Sequence, residues 1–248
     1  MQEDSYVKYR IVVTGFGPFG TYKENPSWLA VKTLHDTIIT TTPPRGAPPK
    51  GPKPDSIHMT AVNIPTVYTA VLETVPKLHA APPVPVPEYT PPTSRAPPEE
   101  GYDLIVHVGV AGPGPLRAER LAHKTGYALP DYERQSPPLI IGAKGNLRGF
   151  GLPRYGEEFG DELFTAVDVD SFVGDLTTGP NPLPLEPSND AGRFVCDFTY
   201  YCSLAESRIA KRETPVLFIH CPPIGLPMST PEVAEGVRRI ISNVCGKL

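Results

Sequence analysis

Cysteine is scarce in this chain, and its spacing excludes two common structural uses. The four cysteines stand at 196, 202, 221 and 245, all in the last quarter, with no C-x-x-C pair and no framework interval. Disulfide scaffolds and zinc ribbons need such spacing, whereas reduced thiols in a cytoplasmic protein do not. Long apolar runs are also missing, which excludes a membrane span. An excess of positive charge is missing too: 23 Lys and Arg against 27 Asp and Glu give a net charge of −4. With no strong basic patch, nucleic acid is not expected as a partner. Met1-Gln2-Glu3-Asp4 lacks the basic and apolar regions of a secretory signal, so a cytoplasmic location is expected. Nothing in the sequence specifies an oligomeric state.

Proline is the residue present in excess, at 33 positions. It concentrates near 40–54, 82–98 and 177–187. These stretches are expected to be insertions in one domain spanning residues 1–248, with 82–98 extended, exposed, mobile and removable without loss of function. The prolines at 180, 182, 184 and 187 fit a loop or edge strand.

Between the prolines the elements alternate. Residues 10–14, 56–62, 103–110 and 216–220 are β-branched or nearly continuous apolar runs, which predict buried strands. Helices are predicted from Asn25-Pro26-Ser27 to Leu34, from about Thr66 to His79, from Asp161 through Phe172, from the Cys196 region to Ile209, and from about Thr230 to Val244. Residues 133–160 read as a long loop. The alternation implies an α/β layered fold. His107, inside the best strand, reads as a core histidine.

The chemistry concentrates in Asp190-Ala191-Gly192-Arg193-Phe194-Val195-Cys196-Asp197-Phe198-Thr199-Tyr200-Tyr201-Cys202. A glycine turn here opens into a helix. Val195, Phe198, Cys202, Ala205 and Ile209 share one face, so Cys202 is assigned to the core. Cys196 lies off that face, near a helix start, where the macrodipole favours negative charge. A thiol there is expected to have its pKa lowered into the range of about 3.5–7.5 and to serve as a nucleophile. The alternative is a small buried apolar residue. His220 ends a strand stopped by two prolines, the right place for a general base. Cys221 faces the opposite side of that strand. A carboxylate would complete a triad, and spacing alone does not choose one.

Two further patterns compete. Gly15-Phe16-Gly17-Pro18-Phe19-Gly20 follows a strand and matches G-x-G-x-x-G, a dinucleotide fingerprint. Its helix begins only at Asn25-Pro26-Ser27, and two phenylalanines stand where a pyrophosphate needs close backbone approach. Glu119 and His123, four apart, suit a metal pair on a helix. H-E-x-x-H and a third ligand are both missing, so no metal is expected.

Four segments in order resemble the pyroglutamyl-peptidase I family, most closely its animal-type members. These are Val13 to Gly20 with Asn25-Pro26-Ser27-Trp28, then Gly109 to Gly112 with Glu119. The third is Asp190 to Tyr201, and the fourth Phe218-Ile219-His220-Cys221-Pro222-Pro223-Ile224-Gly225. The resemblance spans nearly the whole chain. It implies a three-layer α/β/α sandwich with a mixed, mostly parallel sheet and no cofactor. It implies removal of N-terminal pyroglutamate from peptides, with Cys196 as nucleophile, His220 as general base and acid, and Glu119 as orienter. Phe16, Phe19, Phe194 and Val195 would line the ring pocket, Asn25 would brace the first loop, and backbone groups near Val110 would pair the lactam. Bacterial members carry Asn where Asp197 stands, Gln where Val110 stands and Arg where Ala128 stands. Two other functions remain in view: a relative that binds such peptides without turnover, and a nucleotide-dependent oxidoreductase using the glycine loop.

Overall fold

Val12, Ile105 and Phe218 point to one side of their strands, while Ile11, Val106 and Ile219 point to the other, and both sides are fully buried. Strands of this kind need a helical layer on each face. The computed structural model, which describes residues 7–42, 53–142 and 145–248, shows those layers. In chain order the elements are β1 (Tyr9–Phe16), α1 (Pro26–Val31) with a 3-10 turn (Lys32–Leu34), β2 (Thr37–Thr40), β3 (Ser56–Ile64) and α2 (Tyr68–Leu78). β4 (Leu104–Val110), β5 (Leu116–Glu119), β6 (Leu121–His123), β7 (Leu139–Gly142), β8 (Gly145–Arg148) and β9 (Glu162–Phe164) follow. The last are α3 (Val169–Thr177), β10 (Leu185–Ser188), α4 (Val195–Ile209), β11 (Val216–Cys221) and α5 (Thr230–Cys245).

The main sheet has the order β10-β5-β11-β4-β1-β3-β2. β11, β4, β1 and β3 are parallel, while β5 runs against β11 and β2 against β3. The sheet is therefore mixed and mostly parallel. α1, α3 and α5 cover the face of Ile11, Val106 and Ile219, and α2 and α4 cover the other. Each buried Ile, Val or Phe in these layers contributes about 1.5–3 kcal/mol of transfer free energy. No helix among the described residues is long and apolar enough to cross a membrane.

Several expectations are corrected. Glu119 and His123 do not share a helix; they lie on β5 and β6, because buried Leu116 and Ala118 alternate with Arg117 at the period of a strand. The helix expected from Asp161 begins only at Val169, where Asp168 Oδ1 accepts the Ser171 N–H at 2.9 Å, and residues 162–164 pair with β6 instead. The loop over 133–160 contains the β7–β8 hairpin. The stretch 177–187 runs into β10 at the sheet edge, with Pro187 inside it. Most of 40–54 lies outside the described residues.

The segment 82–98 is not a loose excursion. Pro83 and Val86 are buried, and Tyr89 packs on the α2–α4 side of the core. The Tyr89 carbonyl accepts the Asn63 N–H at 2.7 Å, and the Ala96 carbonyl accepts from Arg10 Nη2 at 2.7 Å. Asp36 takes the Ser94 N–H and hydroxyl at 3.0 and 2.8 Å and the Thr93 hydroxyl at 3.2 Å. Proline-rich composition hid this strap, because its few apolar residues follow no period.

Candidate active site

β1, β4 and β11 end side by side at Phe16, Val110 and Cys221. Open α/β sheets place their ligands at this carboxyl edge. The chain enters α4 through a turn in which Asp190 Oδ1 accepts the Gly192 N–H at 2.9 Å. Gly192 sits at φ +85°, a value that costs glycine little. Phe194 then caps the helix in extended conformation, which makes Cys196 its second residue. The backbone N–H groups of that first turn have no partner within the helix.

The thiol lies against the backbone of β4. A β-carbon at Gly109 would stand 2.8 Å from Cys196 Sγ and 2.9 Å from Phe218 Cζ. Only a glycine leaves that room. His220 is in register with Gly109 across β11 and β4, so the imidazole stands beside the thiol's resting place on the same face of the sheet. From the other neighbour of β11, Glu119 on β5 reaches His220: Oε1 lies 2.7 Å from Nδ1. A carboxylate only accepts, so the ring proton is assigned to Nδ1 and Nε2 is left as the acceptor. Glu119 is fully buried, and its Oε2 has no hydrogen-bond partner among the described residues.

Cys196 and His220 line one cavity of about 270 Å³. Phe16, Phe19, Phe194, Asn25 and Thr66 form one part of its wall; Val110, Ala111, Arg117, Asp190, Ala191 and Gly192 form the rest. Phe19 and Phe194 have ring centroids 5.4 Å apart. Asn25 Nδ2 and Thr66 Oγ1 both donate to the Gly17 carbonyl, at 3.0 and 3.1 Å, which ties the first loop to the end of β3. Val195 is fully buried in the core and is not part of the cavity wall. The glycine loop opens no helix: α1 begins at Pro26, and a β-carbon at Gly15 would stand 2.8 Å from Trp28 Cα. No helix N-terminus inside the motif faces a pyrophosphate.

The expected lowering of the Cys196 pKa is overturned. Burial pushes the thiol up, and Cys221, Asp197 and Glu119 add to the rise. A helix N-terminus typically contributes about 0.3–1 kcal/mol. Desolvation shifts a buried group by up to about 3–5 units, which is several times larger. A thiol pushed in this direction depends on a base to take its proton. Burial also raises Cys202 and Cys221, each to about 12. Cys202 sits in the core of α4, and Cys221 faces the layer of α1, α3 and α5.

Behind Cys196 lies a buried polar cluster. Asp197 Oδ1 is 3.1 Å from His123 Nδ1, and Oδ2 accepts the Tyr127 hydroxyl at 2.8 Å. Burial raises the Asp197 pKa to about 6 against the pull of those partners. Sequence patterns missed this cluster, and also Thr66, Arg117 and the room that Gly109 leaves for the thiol. Arg117 was open to discovery through its two-residue spacing from Glu119 had the segment been read as a strand. His107 is a core residue whose Nδ1 lies 2.7 Å from Thr14 Oγ1.

Comparison with known proteins bears on what the site is. No family model matches the chain. Mouse pyroglutamyl-peptidase 1 is 29% identical over 239 residues, covering 96% of this chain and 90% of the relative. The human protein of the same name is 29% identical over 235 residues, with 94% and 88% covered. The chain resembles pyroglutamyl peptidase I. Among solved structures, pyroglutamyl peptidase I from Bacillus amyloliquefaciens superposes with a TM-score of 0.67 at 21% identity, covering 97% of this chain and 98% of the other. A mutant pyrrolidone carboxyl peptidase from Pyrococcus furiosus gives 0.66 at 21% identity, with 96% and 99% covered. The pyroglutamyl-peptidase likeness thus runs through the whole chain, and the structural matches show the shared α/β fold.

Proposed function

We propose that this protein is a cysteine peptidase that hydrolyses the bond following an N-terminal pyroglutamyl residue. The observation that carries the proposal is the 2.7 Å contact of Glu119 with His220 Nδ1, which leaves Nε2 as a base in the cavity that Cys196 lines. Nε2 takes the thiol proton as Sγ attacks the pyroglutamyl carbonyl carbon. The oxyanion forms near the unpartnered N–H groups at the start of α4. His220 then protonates the leaving amine, and the C–N bond breaks to give a thioester. Water, deprotonated by His220, attacks the thioester and releases pyroglutamate and the thiol. Glu119 keeps the tautomer and offsets the imidazolium charge.

The lactam has no free amine, so the slot needs no anionic anchor. Phe16, Phe19 and Phe194 supply apolar walls, and Asn25 and Thr66 hold the loop that carries the first two rings. Val110 backbone groups at the end of β4 are assigned to the lactam N–H and C=O. No cofactor enters these steps. The free thiols support a reducing, cytoplasmic location.

The test is turnover of a pyroglutamyl fluorogenic amide, with and without iodoacetamide, by the full chain and by Cys196→Ala. Iodoacetamide-sensitive cleavage that the variant lacks is expected. Full activity in Cys196→Ala, or binding of the substrate without turnover by the wild type, would overturn the proposal.

A further inference from the structure

We infer that Arg117 selects peptides that carry a carboxylate on the leaving side, one residue beyond the scissile bond. The inference rests on the proposed function. Its geometry comes from strand order. Phe16 ends β1, Gly109 and Val110 end β4, His220 is near the end of β11, and Arg117 lies on β5. Across the sheet edge the order is therefore ring slot, thiol, imidazole, guanidinium.

Arg117 pairs in register with His220 and shares its face of the sheet. It also forms part of the same cavity wall as His220 and Cys196. The imidazole that protonates the leaving amine defines the leaving side, and Arg117 stands next along it. From β4 to β5 is two strand spacings, about 10 Å. That is the length of about three extended residues, and a guanidinium reaches back over part of the gap. A carboxylate on the first leaving residue falls within its range.

The charge of Arg117 is not already answered. Its backbone belongs to the sheet, but among the described residues its guanidinium makes no hydrogen bond or ion pair. Of the nearby carboxylates, Glu119 is bound to His220, and Glu186, the register partner of Arg117 on β10, is exposed and makes no ion pair with it among the described residues. Asp190 is largely exposed, accepts the Gly192 N–H and lies 3.7 Å from Arg193 Nη1. A planar fork of donors in the wall of this cavity suits a carboxylate held by two bonds.

Two sources can present that group: the α-carboxylate of a pyroglutamyl dipeptide, or the side chain of Asp or Glu as first leaving residue. Two substrate pairs separate them. Pyroglutamyl-alanine is compared with its amide, and pyroglutamyl-glutamate amide with pyroglutamyl-glutamine amide, by chromatography of the released products. Each kcat/KM ratio is internal to one preparation, so loss of folded protein cancels. The wild type should prefer the charged member of at least one pair by about ten-fold or more. The ratio should fall with added salt. Arg117→Gln should bring it near one, Arg117→Glu should invert it, and Arg117→Lys should restore part of it. A wild-type ratio near one, or an unchanged ratio in Arg117→Gln, overturns the inference while leaving the proposed function intact. Failure to cleave any of the four substrates sinks both.

Discussion

At the scale of single residues, the site depends on one missing side chain as much as on those present. Gly109→Ala places a methyl within 2.8 Å of Cys196 Sγ and 2.9 Å of Phe218 Cζ. Overpacking of this kind costs about 1–3 kcal/mol. The variant should lose that much stability in urea and most of its turnover; wild-type kcat/KM would show that the thiol tolerates displacement. The raised thiol pKa gives a second expectation. Alkylation of Cys196 by iodoacetamide should climb steeply with pH through the neutral and alkaline range, because the thiolate fraction rises with it. A rate already flat from acid pH would mean a preformed thiolate and imidazolium pair. Cys196 and His220 were readable in the sequence because thiols and imidazoles are rare and each stood at the end of a well-marked element. Gly109 was not, since its importance comes from a side chain more than eighty positions away.

At the scale of elements, long apolar runs were legible and short irregular pieces were not. β1, β4 and β11 carry so much apolar surface that no other assignment buries it. β5 is four residues long, and a four-residue spacing between Glu119 and His123 imitates a helix until Leu116 and Ala118 are seen to alternate. The strap over 82–98 shows the same limit, because its order comes from polar bonds rather than from apolar period. Asp36 is its anchor, accepting from Thr93, from Ser94 twice, and contacting His58 Nε2 at 2.7 Å. Those partners hold its pKa well below the ordinary carboxylate range. Asp36→Asn should therefore lower stability by about 1–3 kcal/mol. Amide exchange over residues 89–98 should quicken in the same variant. Unchanged exchange there would show that the strap is held by Pro83 and Val86 instead.

At the scale of the whole molecule, two carboxylates, the half-buried Asp36 and the fully buried Asp197, oppose one another in pH. Asp36, depressed, stabilises the fold above the ordinary carboxylate range, and that stabilisation is lost as pH falls. Asp197, raised from 3.8 to about 6, works the other way. Its contribution is fully present below about pH 4 and is lost as pH rises through 6. Two units correspond to about 3 kcal/mol at most. Asp197→Asn should therefore gain on the wild type in Tm as pH rises from 4 to 7. A gap that moves in favour of the wild type would reverse the sign. The layered architecture also has a bearing on oxidative damage. β11 shows His220 to one layer and Cys221 to the other, so the sheet itself stands between the reactive sulfur and the thiol nearest to it along the edge. On its own side of that partition a sulfenic acid formed on Cys196 by peroxide shares the layer only with Cys202, six residues further along α4 and fully buried, so its repair must come from a small thiol entering through the cavity mouth.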